Sequence, residues 1–275
     1  MSYEFLLPLE TYPDPTPGAG LPGVLDFVAA VGGRLTVATH EVTIPQIGNA
    51  LAEALVDVSA MIAAAENTSR ASGVALTTEV VALAAKLSIP VDQQIVYCRV
   101  EFASERIVRI ARTYDITLLV RGREGASGLA EDVIFGSGGP VVLFPDHGAL
   151  THLNHVVVAW DGSRAAARAV RDALPILGTA KAVTIVTAGD DKAIDADNVV
   201  ALQRLLSQHN VASDHVPAEP SSESIGRRLQ QAALERGAGL LVMGAYGHSR
   251  LQEFVLGGAT RDVIGNLQLP VLLSH

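Results

Sequence analysis

The chain has 275 residues, long for one domain and comfortable for two. Charged residues make up 18% and apolar residues 49%, which excludes a disordered chain, and 4% aromatics calls for the aliphatic interior of a parallel sheet covered by helices. The net charge of −9 argues against broad nucleic-acid binding and against an anionic membrane surface, and leaves room for a small anion held locally.

In chain order, Met1-Ser2-Tyr3-Glu4 has no basic region leading into an apolar leader. No apolar run approaches the ~20 residues that span a membrane, so a soluble cytoplasmic protein is expected. Phe5–Leu9 reads as a strand, Pro22 to about Val31 as a helix, and Leu35–Thr39 as a second strand. Helical spacing of Ile47, Leu51, Leu55, Val58 and Ile62 predicts a long helix from near Gln46. Ile95–Cys98 reads as a strand, Ala103–Arg112 as a helix and Ile116–Val120 as a strand. Cys98 is the single cysteine, so no internal disulfide forms, and its apolar run predicts a buried small hydrophobe. The half closes with Asp132-Val133-Ile134 and Pro140-Val141-Val142-Leu143, and a polar, unpatterned stretch follows from Asp146 to His152.

The second half repeats the plan. Val156–Trp160 is a strand, Asp161-Gly162-Ser163 turns the chain, and Ala166, Val170, Ala173, Leu174 and Leu177 mark a helix. Val183–Thr187 is a strand, and a helix near Val199–Ser207 is expected to bury Val199, Val200, Leu202, Leu205 and Leu206. A short strand near His215-Val216, a helix from Ser224 to Arg236 and the strand Gly239–Met243 follow. A helix opens near Gly258, and Pro270–Leu273 is the last strand. Asp132 precedes Pro140 by eight residues, as Asp262 precedes Pro270. Strands alternating with helices imply crossover connections and parallel sheets.

The copies differ where chemistry would sit. Gly122 to Pro140 spans 18 positions and Gly244 to Pro270 spans 26, so the first copy lacks about eight residues of that loop. The first copy has Glu10-Thr11-Tyr12 where the second has Asp161-Gly162-Ser163. The first copy is longer in its middle, and the surplus is expected in the Pro/Gly-rich Asp14–Gly20 and around Thr77–Ser88. In the second copy, the strand ending at Met243 runs into Gly244-Ala245-Tyr246-Gly247, and Gly257-Gly258-Ala259-Thr260 opens a helix. Glycine lets backbone approach a ligand closely, and the unpaired N–H groups of a helix start face an anion. His248 and Arg250 lie between these glycines, and an arginine there supplies counter-charge to a phosphate. Asp161 suits either a ligand contact or a helix cap, and Trp160 either stacks on a base or packs inward.

Other chemistries find no pattern. There is no Gly-x-x-x-x-Gly-Lys-Ser/Thr, no Gly-x-Ser-x-Gly elbow and no metal-ligand spacing, and His152 and His155 read as solvated. His248 and Glu253 are the only candidate general bases beside the glycines, so no catalytic residue is assigned.

Asp161-Gly162-Ser163, the spacing of Gly244, Gly247 and Gly257, the closing Leu269-Pro270-Val271 and the duplication together resemble the universal stress protein family in its tandem form, over nearly the whole chain. The resemblance implies an α/β fold of two tandem doubly wound domains, 1–146 and 153–275. Each would be a five-stranded parallel sheet of order 3-2-1-4-5 with helices on both faces. It implies an adenine nucleotide, ATP or AMP with or without Mg²⁺. Phosphates would lie at Gly244, Gly247, Gly257, Gly258, Ala259 and Thr260, and the adenosine end at Ala159, Trp160, Asp161, Thr187 and Ala188. The two halves would pair last strand to last strand as an internal pseudo-dimer, with a homodimer also open. The role would be a regulatory one in stress, with any ATP hydrolysis slow. One position departs: the ATP-binding pattern has Ser or Thr where this chain has Gly258, which favours the rival reading of a ligand-free scaffold acting through protein contacts.

Overall fold

Phe5, Leu6, Leu7 and Leu9 are fully buried in β1 (Tyr3–Leu9), as are Val156, Val157 and Val158 in β6 (His155–Ala159). A strand apolar on both faces needs cover on both, which helices on a parallel sheet provide. The computed structural model describes residues 3–45, 57–121, 128–147, 152–188, 196–219, 221–245 and 258–275. The expected start of the long helix at Gln46, Ile47, Leu51 and Leu55 lies outside them, as do Gly122 and the loop residues Gly247, His248, Arg250 and Gly257.

In the first half β1 is joined by β2 (Gly33–Thr43), β3 (Val91–Arg99), β4 (Ile116–Arg121) and β5 (Val141–Pro145). In the second, β6 is joined by β7 (Ala182–Thr187), β8 (Asp214–Pro217), β9 (Leu240–Gly244) and β10 (Val271–Ser274). The single sheet runs β3-β2-β1-β4-β5-β10-β9-β6-β7-β8, so each half has the order 3-2-1-4-5 with parallel neighbours. The halves meet where β5 and β10 pair antiparallel, Val271 opposite Leu143 and Leu273 opposite Val141.

Alternate residues of each strand feed two cores, one under each helix layer. Phe5, Leu7 and Leu9 pack with α1 (Leu21–Val31) and α2 (Val58–Lys86), and Val156 and Val158 with α5 (Arg164–Leu177) and α6 (Ala196–Gln208). On the opposite face, Leu6 meets α3 (Ala103–Ala111) and α4 (Leu129–Gly136). Val157 and Ala159 meet α7 (Ile225–Glu235) and α8 (Gly258–Gly265) there. Each fully buried aliphatic side chain contributes about 1.5–3 kcal/mol.

Four expectations need correction. The surplus of the first half is chiefly regular structure: α2 has 29 residues against 13 in α6, and takes in most of Thr77–Ser88. Cys98 is only half-buried, because β3 is an edge strand that leaves Ile95 50% and Tyr97 64% exposed. Val200 is 61% exposed, since α6 turns Val199, Leu202 and Leu206 to the sheet instead. His155 is not a solvated linker residue: it opens β6, and its ring bonds the Arg236 carbonyl at 2.9 Å and the Thr184 hydroxyl at 2.9 Å.

Candidate functional site

The strand order of the second half reverses at β6, between β7 and β9, and open α/β sheets bind ligands at the carboxyl edge of such a point. Three chain segments converge there. The first leaves β6 after Ala159, with the Trp160 N–H donating to the Val186 carbonyl at 2.9 Å. Asp161 Oδ1 then accepts from the Ser163 N–H at 2.8 Å, Gly162 takes φ +73°, and Ser163 Oγ accepts from the Ala166 N–H at 3.1 Å. Ser163 is therefore the N-cap of α5, and Asp161 closes the turn before it, a local bond that aspartate makes readily.

The second segment is the end of β9. A Cβ on Gly244 would collide with the backbone nitrogen of Ala166 and with Ala165, so only glycine lets β9 end against the first turn of α5. The third is the first turn of α8, where Gly258, Ala259 and Thr260 bring the N-terminal end of the helix to the crevice. Among the described residues, a Cβ on Gly258 would meet nothing within 4 Å.

These segments enclose a cavity of ≈ 230 Å³. Of the residues predicted from sequence, Ala159, Trp160, Asp161, Ala188, Gly244, Gly258, Ala259 and Thr260 line it. Thr187 does not; its hydroxyl bonds His215 Nε2 at 3.0 Å. The Trp160 indole packs against the core on the α5 and α6 side, and its Nε1 donates to Asn198 Oδ1 at 2.7 Å. The remaining wall is apolar: Ala166 from α5, Ile225 and Leu229 from α7, and Met243 from β9. Sequence reasoning missed these four, whose only signal is that they stand at or near the ends of elements bordering the turn. The cavity lies below the ~300–1,000 Å³ typical of small-molecule pockets.

The corresponding crevice of the first half, bounded by Glu10, Arg121, Leu129 and Ala130, holds ≈ 20 Å³. Leu119, Val120 and Leu143 fill its base. No group of three or more His, Cys, Asp or Glu residues able to hold a metal occurs among the described residues, and no described helix is long and apolar enough to cross a membrane.

Residues 152–275 match the model of the Universal stress protein family. No curated protein matches the sequence. Among solved structures, a universal stress protein from Archaeoglobus fulgidus DSM 4304 superposes with a TM-score of 0.70 at 18% identity, covering 100% of this chain and 98% of its own. A structure described as a putative universal stress protein from Pseudomonas aeruginosa UCBPP-PA14 gives a TM-score of 0.57 at 13% identity, covering 99% and 93%. A universal stress protein in complex with cAMP is 26% identical over 45% of this chain and 97% of its own, with a TM-score of 0.36.

Proposed function

We propose, from the premise that residues 152–275 belong to the universal stress protein family, that the cavity between β6, β9 and α8 binds an adenine nucleotide, ATP or AMP, as a regulatory ligand. The observation that carries this is the contrast between the copies. The second half keeps ≈ 230 Å³ of space walled by a turn carboxylate, a strand-end glycine and a helix N-terminus, and the first keeps ≈ 20 Å³. In this reading the first turn of α8 faces the phosphates, because the N-terminal end of a helix, with the positive end of its dipole, favours an anion. Asp161 faces the sugar hydroxyls, which donate to a carboxylate, and the apolar wall of Ile225, Leu229 and Met243 suits the flat base.

Chain segments 1–146 and 153–275 act as two units of unequal role in this account, the first having kept the fold with a far smaller crevice among the described residues of its switch point, in a cytoplasmic protein of the stress response. Hydrolysis is not part of the reading: Asp161 is the only carboxylate among the described lining residues, and its Oδ1 is already engaged by Ser163. Thermal denaturation with ATP, ADP and AMP, each with and without Mg²⁺, tests the reading. A ligand that binds only the folded state at a hundredfold excess over its Kd stabilises by about 2.7 kcal/mol, so the midpoint should rise by several degrees. An unmoved midpoint with every nucleotide supports the scaffold reading instead.

A further inference from the structure

We infer that the first half holds the cavity of the second in shape, with Arg121 and Phe135 as positioning residues; this rests on the nucleotide reading above. Two walls of the cavity receive a contact from the other half of the chain.

The first is α8. Its N-terminal turn lines the cavity, and its other end, at Ile264, accepts a hydrogen bond from Arg121 Nε–H at 3.3 Å. The last carbonyls of a helix are unpaired and carry the negative end of its dipole, so a guanidinium there is favourable and fixes the helix along its axis. Arg121 is the last residue of β4, 143 positions away in sequence.

The second is the end of β9. Ala245, next to the lining residue Gly244, has its carbonyl bonded by His275 Nδ1 at 3.1 Å. A carbonyl only accepts, so Nδ1 carries the proton. The His275 ring stands edge-on to Phe135 of α4, centroids 4.9 Å apart at 73°. His275 Nε2 is buried without a partner, which costs the fold the hydration that this nitrogen would have in water. The fold tolerates that cost while the other ring nitrogen stays on the Ala245 carbonyl.

The second half reaches back as well, Arg168 of α5 donating to the Gly138 carbonyl just past α4 at 3.1 Å, but the two arginines do not hold equivalent positions in the repeat. When the repeats are aligned on Gly122 and Gly244, Arg121 stands where the second half has Met243, a lining residue of the open cavity. The half whose own crevice is nearly closed thus places a cation against the helix of the half whose cavity is open.

The test compares Arg121→Met and Phe135→Ala with the conservative Arg121→Lys and Phe135→Tyr, by ATP titration and by the backbone amide resonances of Ala245, Gly258 and Ala259 in the ligand-free protein. Arg121→Met and Phe135→Ala should each weaken ATP binding about fivefold or more and move those resonances. The Lys and Tyr variants, which keep a cation and a ring, should restore both. Wild-type affinity with unmoved resonances in Arg121→Met and Phe135→Ala overturns the inference, as does a lowered melting temperature with affinity and resonances unchanged. Should the wild-type protein bind no nucleotide, the proposed function falls and the resonances decide alone: displacement upholds the struts, and its absence removes them.

Discussion

Gly258 is the position where the sequence pattern and the structure give different advice. The family pattern places a hydroxyl there, yet the chain has glycine where a Cβ would meet none of the described residues within 4 Å. Gly258→Ser should therefore fold normally and bind ATP more tightly, by about fivefold for one added hydrogen bond to a phosphate oxygen; a weaker-binding or unfolded variant would show that the phosphates lie elsewhere. Asp161→Asn keeps the acceptor that closes the turn onto Ser163 and removes the charge, so it should lower nucleotide affinity about tenfold with little change in melting temperature. Unaltered affinity would leave Asp161 with the turn alone. Away from the site, burial in the first half holds the His40 imidazole below its ordinary 6.5, against a hydrogen bond with the Cys98 backbone that acts to raise it. The folded protein keeps this ring neutral where an unfolded chain would take a proton. Its contribution is complete above about 6.5 and is lost as pH falls through that value and on through the lower folded-state value. His40→Gln should flatten the fall in melting temperature between about pH 7 and about pH 5, and parallel curves for variant and wild type would contradict this.

At the scale of elements, close approach decides where helices sit. A Cβ on Gly226, in α7, would lie 2.6 Å from the Ala259 carbonyl oxygen and 2.8 Å from Asp262 Cβ in α8. Gly226→Ala should push the first turn of α8 outward, costing about 1–3 kcal/mol of stability and loosening nucleotide binding in the same variant. Wild-type affinity in a destabilised Gly226→Ala protein would separate helix packing from the site. The same geometry explains what the sequence left unread. The central strands are legible because both of their faces are buried, which leaves uninterrupted runs such as Val156–Val158. The length of α2 is not, because its buried positions include Ser69, Gly73 and Ala84, small residues that leave no apolar stripe. They are small because the helix lies close to the sheet: a Cβ on Gly73 would stand 2.8 Å from Thr39 Cγ2. Cys98 was misread because an apolar run does not say whether its strand is central or at the edge. At the site, Asp161 and Gly244 announced themselves by turn chemistry. Ile225 and Leu229 did not, since their place on the cavity wall depends on how α7 crosses the sheet.

For the molecule as a whole, a single ten-stranded sheet built from two copies of one topology gives two switch points, at β1 and at β6, and among the described residues the second opens into a cavity of ≈ 230 Å³ and the first into one of ≈ 20 Å³. The central claim is one nucleotide per chain, held by the second half. Isothermal titration calorimetry with ATP reads the stoichiometry directly. The account predicts one site per chain, lost or much weakened in Asp161→Asn. Two sites per chain, or no heat with ATP, ADP or AMP, would contradict it.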